Sequence, residues 1–301
     1  MSVIRGTRPS TARRRPVTLA LVALSTMLLA ACGSRVEEGE VLPAAPLEGE
    51  DPGLAHVHGL GVNPADGLVY VATHFGLWRL SGSGEPERVG EYFHDLMGFT
   101  VVGEDHFLAS GHPSGGDLPP QLGLIETTDA GTTWRSVSLL GGADFHALSA
   151  AHGKVYGWNT ADSAFMVSDD GRDWEERSTV RILDFAVAPD DPDEVLATIA
   201  ESRGDTSVAR SRDGGRTWEE IDAPSLGRPA WPDGDVVWAV GVDGVLWRSE
   251  DRGAIWEEGA SLGGFPEAFF AHEDRLYVAA GGVIALSEDE GESWDALVRY
   301  G

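Results

Sequence analysis

The chain has 301 residues, of which 42% are hydrophobic and 39 are glycine, and its formal net charge is −27. This length and hydrophobic content suit one large or two small globular domains and exclude a disordered chain. Because so acidic a protein repels phosphate backbones, nucleic acid is excluded as a partner.

The first 31 residues have the layout of a secretory signal peptide, with a basic segment that ends in RRR and an apolar run over residues 17–31. That run is too short to span a membrane comfortably. The only cysteine, Cys32, follows directly, and LLAAC resembles the lipobox of bacterial lipoproteins. The resemblance implies that Cys32 is acylated, becomes the N-terminus and anchors the protein outside the cytoplasm at the bacterial cell membrane. The alternative is an ordinary cleavage site followed by a free thiol.

Residues 32–52 are acidic and rich in proline and show no periodicity, which predicts a tether between the membrane and a folded domain over residues 53–301. Without the signal peptide, 17 Lys and Arg remain against 49 Asp and Glu. With Cys32 acylated, neither a disulfide nor a cysteine-based metal site is available.

The folded domain contains five copies of the pattern x-x-D-x-G-x-x-W, which we call the acidic turns. Their tryptophans are 40, 44, 38 and 38 residues apart. This is the period of a four-stranded propeller blade. The sequence between the copies consists of short runs rich in Val, Leu, Tyr and Trp, which are typical of β-strands. A sixth, degenerate unit is indicated by GLWRLS, residues 76–81, which matches VLWRSE of a later repeat but is followed by GSGEPER in place of an acidic turn. The acidic-turn residues are Asp129, Trp134, Asp169, Trp174, Asp213, Trp218, Asp251, Trp256, Asp289 and Trp294.

These repeats predict an all-β fold, a six-bladed β-propeller of four-stranded blades, and leave open how the ring closes. The turn pattern resembles the Asp-box, or BNR repeat, of sialidase-like six-bladed propellers, and the whole chain resembles lipoprotein members of the glycosyl-hydrolase-like exo-alpha-sialidase family. In such a turn Asp accepts backbone hydrogen bonds, Gly adopts a left-handed conformation and Trp fills space between layers. The turns are therefore predicted to be structural. A calcium loop would need further carboxylates, which these turns lack.

Histidines cluster in the first three repeats, at the openings of the innermost strands and in the loops between second and third strands. In a propeller these two places lie on the same side of the ring. Six of the nine histidines occur there, together with two aspartates and a methionine, which predicts a ligand or divalent-metal face. The alternative is that the histidines only bond loop backbones. The face comprises His56, His58, His74, His94, Asp95, Met97, His112, Asp144 and His146.

The later repeats place Arg181, Arg203, Arg228 and Asp184 at equivalent openings. Three arginines there invite comparison with the carboxylate-binding arginines of sialidases. The resemblance also implies a Tyr nucleophile with a Glu partner and an acid/base Asp, but the F/Y-R-I-P motif of sialidases is missing. The recurrent tyrosines fit blade packing better than catalysis; they are Tyr70, Tyr156 and Tyr277.

Three functions remain open from the sequence. The first is a monomeric, lipid-anchored, extracytoplasmic propeller that binds a ligand or assembles with an unknown protein or glycan partner. The second is a sialidase-like glycoside hydrolase, which a Tyr/Glu pair in the central pocket would favour. The third is an envelope protein that binds a divalent metal, which imidazole nitrogens converging on one point would favour.

Overall fold

The computed structural model describes residues 36–44, 49–81, 85–201 and 205–301. These residues form 24 strands in six four-stranded antiparallel sheets, each built from four consecutive strands. The predicted all-β, six-bladed propeller is confirmed. Over the same residues, no helix has the length and hydrophobicity needed for a membrane span.

Each blade takes its strands in chain order from the channel outwards. Blade 1 contains β1 (Val57–Val62), β2 (Val69–Thr73), β3 (Gly76–Leu80) and β4 (Pro86–Val89); blade 2 contains β5 (Asp95–Gly103), β6 (His106–His112), β7 (Leu124–Thr127) and β8 (Arg135–Ser138). Blade 3 contains β9 (Phe145–Ala151), β10 (Lys154–Asn159), β11 (Ala164–Ser168) and β12 (Trp174–Ser178); blade 4 contains β13 (Ile182–Val187), β14 (Val195–Ala200), β15 (Thr206–Ser211) and β16 (Glu219–Ile221). Blade 5 contains β17 (Leu226–Asp233), β18 (Val236–Gly241), β19 (Val245–Ser249) and β20 (Glu257–Ser261); blade 6 contains β21 (Pro266–His272), β22 (Arg275–Ala280), β23 (Val283–Ser287) and β24 (Asp295–Arg299).

A β-bulge recurs at the opening of all six innermost strands. In each blade the register between the first two strands shifts by one residue near the start of the first strand. A bulge leaves one residue unpaired and re-aims its side chain. The unpaired residues are His58, Met97, His146, Leu183, Gly227 and Glu267.

The acidic turns are closed by hydrogen bonds within the turn. Asp213 accepts bonds from the Thr217 backbone N–H at 2.8 Å and from the Thr217 hydroxyl at 2.6 Å. Ser211 donates to the same carboxylate at 2.8 Å, and its oxygen accepts the Gly215 N–H at 2.8 Å. These bonds fix the hairpin between the third and fourth strands.

The blade 3 turn differs from the prediction, which assigned Asp169 to the closing position. The Ser168 hydroxyl and the backbone N–H groups of Arg172 and Asp173 instead bond Asp170. Asp169 is exposed and pairs with Lys154. The cause is a turn that is one residue shorter between its serine and its tryptophan than in the blade 4 turn, so counting back from the tryptophan selects the wrong aspartate.

Each acidic turn also packs against the preceding blade. Gly215 of blade 4 has a φ of +91°, and a Cβ there would lie 2.2 Å from the Phe165 ring of blade 3. The Trp218 indole donates to the Ser178 hydroxyl of blade 3 at 2.9 Å. A glycine is therefore required both by the left-handed backbone and by the close contact between blades.

Blade 1 lacks an acidic turn, and its neighbour across the ring closure is blade 6. At this seam Glu267 accepts the Val57 N–H at 2.8 Å with one carboxylate oxygen and the Tyr300 hydroxyl at 2.8 Å with the other. Apolar residues of both blades share one buried cluster. The ring closes by side-chain packing and these bonds, because no strand is exchanged between the first and last sheets.

Part of the predicted tether is attached to blade 2. The Gly39 N–H donates to the Ser136 carbonyl at 2.7 Å and the Leu42 N–H to the Trp134 carbonyl at 2.8 Å, so the segment pairs with the outer strand β8. The Leu42 side chain is only 1% exposed and lies in the core cluster shared by blades 1 and 2. The Tyr92 hydroxyl donates to the Leu42 carbonyl at 3.1 Å. We call residues 39–42 the strap.

A second attachment follows the strap. Arg88 donates through Nε to Asp51 at 2.8 Å, and this hydrogen bond lowers the pKa of the Asp51 carboxyl although burial opposes the shift. The composition of residues 32–52 predicts a polar, irregular segment. It does not reveal that one buried leucine holds the segment against the propeller.

We expect Leu42→Ala to destabilise the protein by about 2–5 kcal/mol, the usual cost of removing a fully buried leucine side chain. Val41→Ala is the matched control, because Val41 is 55% exposed. Urea unfolding should separate the two variants. Equal midpoints for both would mean that the strap contributes nothing to stability.

The acidic turns should make stability fall in acid. The hydrogen bonds of Thr217 to Asp213 lower the pKa of Asp213 to about 2. Since an unfolded aspartate titrates near about 3.9, the stabilisation is present above that pH and is lost as the pH falls through about 2. As the pH is lowered between those two values, the melting temperature should fall less steeply for Asp213→Asn than for the parent. The exposed Asp295→Asn control should keep the parental slope, and identical slopes in all three proteins would contradict the role of Asp213.

Candidate functional site

The topology brings the chemistry-bearing residues of blades 1, 2 and 3 to one mouth of the channel. Asp95 begins β5, and Asp144 immediately precedes β9. His58 and His146 are the bulged residues of β1 and β9. Two more imidazoles reach the same mouth: that of His74, in the loop after β2, and that of His112, the last residue of β6.

Asp95 is the centre of the first group. Its carboxylate lies 2.9 Å from His74 Nδ1, 3.3 Å from His58 Nε2 and 3.5 Å from His112 Nδ1. Burial raises the pKa of Asp95, but the three imidazoles outweigh it and hold the pKa below its ordinary value. Asp95 is therefore an ionised carboxylate at neutral pH.

Asp144 is the centre of the second group. Its Oδ2 lies 2.9 Å from His146 Nε2 and 3.3 Å from His112 Nε2, and it accepts the Thr160 hydroxyl at 2.7 Å. Burial again raises the pKa and the hydrogen bonds of His146 and Thr160 lower it, with a net shift downwards. The Asn159 side chain accepts the Asp144 backbone N–H at 2.9 Å, which fixes the start of the inner strand.

Each group offers two imidazoles and one carboxylate. In His58, His74 and Asp95, and separately in His112, Asp144 and His146, one donor atom per residue lies within 4.8 Å of the others. Neutral imidazole and carboxylate are the ligands that divalent transition metals such as zinc, iron and copper accept. The residues therefore fit a metal ion at either group.

Several polar atoms of these groups are buried without a hydrogen bond. They include Asp95 Oδ1, Asp144 Oδ1 and His58 Nε2. His58 Nε2 approaches Asp95 Oδ1 to 3.3 Å, but the two atoms do not form a hydrogen bond. Unpaired buried polar atoms are costly, and a cation between them would satisfy both.

Three residues of the predicted face stay outside the two groups. His56 occupies the position of Asp95 and Asp144 in blade 1 but is exposed, with its ring centroid 6.2 Å from that of His74. His94 is fully buried, accepts the Ser114 N–H at 3.1 Å, and has its pKa lowered to about 4 by burial. Met97 lines the central cavity.

The central cavity has a volume of about 230 Å³, and its wall includes residues of the histidine face and residues at the openings of the later repeats. His58, His146 and Met97 line it together with Asp184 and Arg228 from blades 4 and 5. Arg228 lies 3.5 Å from Asp184, and burial raises the pKa of Asp184 despite that positive charge.

The predicted arginine triad is not assembled among the described residues. The Arg181 side chain is exposed at the opening of β13, and Arg203 lies outside the residues that the structure describes. Arg228 lines the cavity. The part of the chain that the structure describes therefore brings one of the three arginines to the channel.

A Tyr/Glu pair exists but is placed at the seam rather than in the pocket. It is the Tyr300–Glu267 pair, and neither residue lines the central cavity. Burial and the adjacent Glu267 carboxylate raise the pKa of Tyr300, which disfavours a phenolate nucleophile. The other Glu267 oxygen is occupied by the Val57 N–H. The pair closes the ring, and the hydrolase hypothesis gains no support from it.

Thr160 is a site residue that the sequence reasoning missed. It follows β10 just as His74 follows β2, so its position in the repeat was a usable signal. A threonine draws less notice than a histidine because it is a poor metal ligand. Its hydroxyl instead orients the carboxylate of Asp144.

No protein-family model matches this sequence, and a search of curated proteins returns no significant relative. Among solved structures, YCF48 from Cyanidioschyzon merolae is similar with a TM-score of 0.51, 16% identity, and coverage of 80% of this chain and 96% of that chain. XC5397 from Xanthomonas campestris, described as a gluconolactonase, is similar with a TM-score of 0.62, 12% identity, and coverage of 78% and 86%. A chain of the nidogen/laminin complex is similar with a TM-score of 0.59, 11% identity, and coverage of 78% of this chain and 96% of that chain. At such identities the comparisons establish the β-propeller fold, which neighbours of differing function share.

Proposed function

We propose that this chain is a monomeric, lipid-anchored, extracytoplasmic propeller that binds a divalent transition-metal ion at the channel mouth. The observation that carries the proposal is the convergence of four imidazoles and two ionised carboxylates from three blades. Chance would scatter these side chains, since His58 and His146 are far apart in sequence. Of the ligands considered from the sequence, a metal ion fits this donor set best.

The donor types select among metals. Imidazole nitrogen suits zinc, copper, iron and nickel, whereas magnesium and calcium prefer a shell of oxygen ligands. The strongly negative net charge of the chain raises the local concentration of cations near its surface. Because surface carboxylates attract all divalent cations alike, selectivity for a transition metal would come from the imidazoles at the channel mouth.

The proposed anchor would hold the propeller close to the membrane. Cys32 lies outside the described residues, and the strap begins at Gly39, only seven positions further along the chain. A fully extended chain of that length reaches at most about 25 Å. Since the strap pairs with blade 2, the freedom expected of a tether over residues 32–52 is reduced to this short link.

Cys32→Ala should move the protein from the membrane fraction to the soluble fraction, because the acyl chains that would retain it cannot be attached. Fractionation of cells that express the full chain, followed by immunoblotting, measures the change. Cys32→Ser serves as a second variant without an acylation site. Retention of both variants in the membrane would overturn the proposed anchoring.

The metal-binding proposal is tested by titrating zinc into chelator-treated protein that lacks the signal peptide. We expect saturable binding by calorimetry that excess magnesium does not displace. His106→Ala is the matched control, because His106 pairs with Glu126, away from the mouth, and its loss should leave the binding unchanged. The proposal would be overturned if zinc produced no heat of binding, or if excess magnesium abolished that heat.

A further inference from the structure

We propose that the channel mouth holds two metal ions, one at each group, coupled through His112. The first ion is held by His58, His74 and Asp95, and the second by His112, Asp144 and His146. This inference rests on the proposed metal-binding function and specifies the architecture of its site. It concerns the number of ions and their coupling.

The six side chains divide into two sets of three, and within each set the ligand atoms lie within 4.8 Å of one another. The two nitrogens of an imidazole point in different directions, so a single ion can accept only one of them. His112 directs Nδ1 toward Asp95 at 3.5 Å and Nε2 toward Asp144 at 3.3 Å. The two carboxylates therefore lie on opposite sides of one ring, and each forms a three-ligand group without the other.

Each carboxylate has one oxygen oriented by neighbours and one oxygen without a hydrogen bond. Asp95 Oδ2 faces His74 and His112, while Asp95 Oδ1 is buried and unpaired. Asp144 Oδ2 accepts the Thr160 hydroxyl, while Asp144 Oδ1 is buried and unpaired. The pattern repeats at both groups, which is the arrangement expected of two separate ligand sets with their own supporting contacts.

His112 supplies the coupling. With Nε2 as ligand of the second ion, its Nδ1–H donates to Asp95, which is a ligand of the first. Such contacts fix the tautomer of a ligand histidine and raise its basicity. Three protein ligands at each ion leave coordination positions open, as in catalytic zinc sites. One imidazole of each group, that of His58 and that of His146, lines the central cavity, whose wall also includes Arg228.

The test counts zinc ions per chain in the folded protein by calorimetry and by elemental analysis after gel filtration. We expect two ions for the parent, one for His74→Ala and one for His146→Ala. Thr160→Val should weaken the second ion by about 10- to 100-fold and leave the first unchanged, the usual effect of removing a supporting contact. His106→Ala should retain two ions. Circular dichroism of each metal-free variant establishes that the loss is not unfolding.

The outcomes separate the two proposals. A single ion in the parent that both His74→Ala and His146→Ala abolish would refute the pair and leave metal binding intact. Two ions in the parent with complete loss in either single variant would refute the assignment of separate ligand sets. No saturable zinc in the parent would overturn both proposals.

Discussion

Replacing His58 and His146 together by alanine should abolish saturable zinc binding. The two residues are the bulged positions of β1 and β9, and each supplies an imidazole to a different group. The double variant therefore leaves each group with one imidazole and one carboxylate, too few ligands for a stable transition-metal site. Calorimetric titration of the metal-free double variant, beside the parent, measures the loss.

The matched control is His106→Ala combined with His272→Ala. It removes the same number of imidazoles from places outside both groups, since His106 pairs with Glu126 and His272 stacks on Phe270. This control should bind zinc as the parent does. If the double variant of the mouth kept parental binding, the two groups would not be the metal ligands.

Trp134→Ala should cost about 3–5 kcal/mol of unfolding free energy, the range for removing a large buried aromatic side chain. Trp134 is only 1% exposed and lies in the cluster that joins blade 2 to blade 1 and to Leu42 of the strap. The expected loss therefore includes contacts with the preceding blade and with the strap. Urea unfolding, followed by circular dichroism, gives the difference.

Trp218→Ala is the comparison, because it occupies the same position in the repeat but is only partly buried. Trp218→Ala should lower the unfolding free energy by less than Trp134→Ala does, although it also removes the indole hydrogen bond to Ser178. Equal costs for the two variants would mean that burial between blades does not decide the contribution of the tryptophans. Leu42→Ala combined with Trp134→Ala should be less than additive, since the two side chains share one cluster.

The repeat made the architecture predictable. Tryptophans at a blade-length period, short strands and turn residues at fixed offsets are local properties, and each blade is one continuous stretch of chain. Equivalent positions in a repeat fold to equivalent places, so the histidines of the first three blades could be assigned to one mouth before the structure. The same logic fails where the repeat is irregular. The shortened turn of blade 3 makes Asp170, and not Asp169, the closing residue.

The sequence by itself determined the fold class, the number of blades and the side of the ring on which the clustered histidines lie, because these follow from periodicity. Only the tertiary structure decided which residues of that side meet. The bulges aim His58 and His146 inward, while His56 stays exposed and His94 is buried apart. The sequence also did not predict the strap, the Tyr300–Glu267 pair at the seam, or the contacts of the two His112 nitrogens with different aspartates. Such contacts depend on side-chain direction and on packing between segments that are distant in sequence, and neither of these produces a periodic pattern in the sequence.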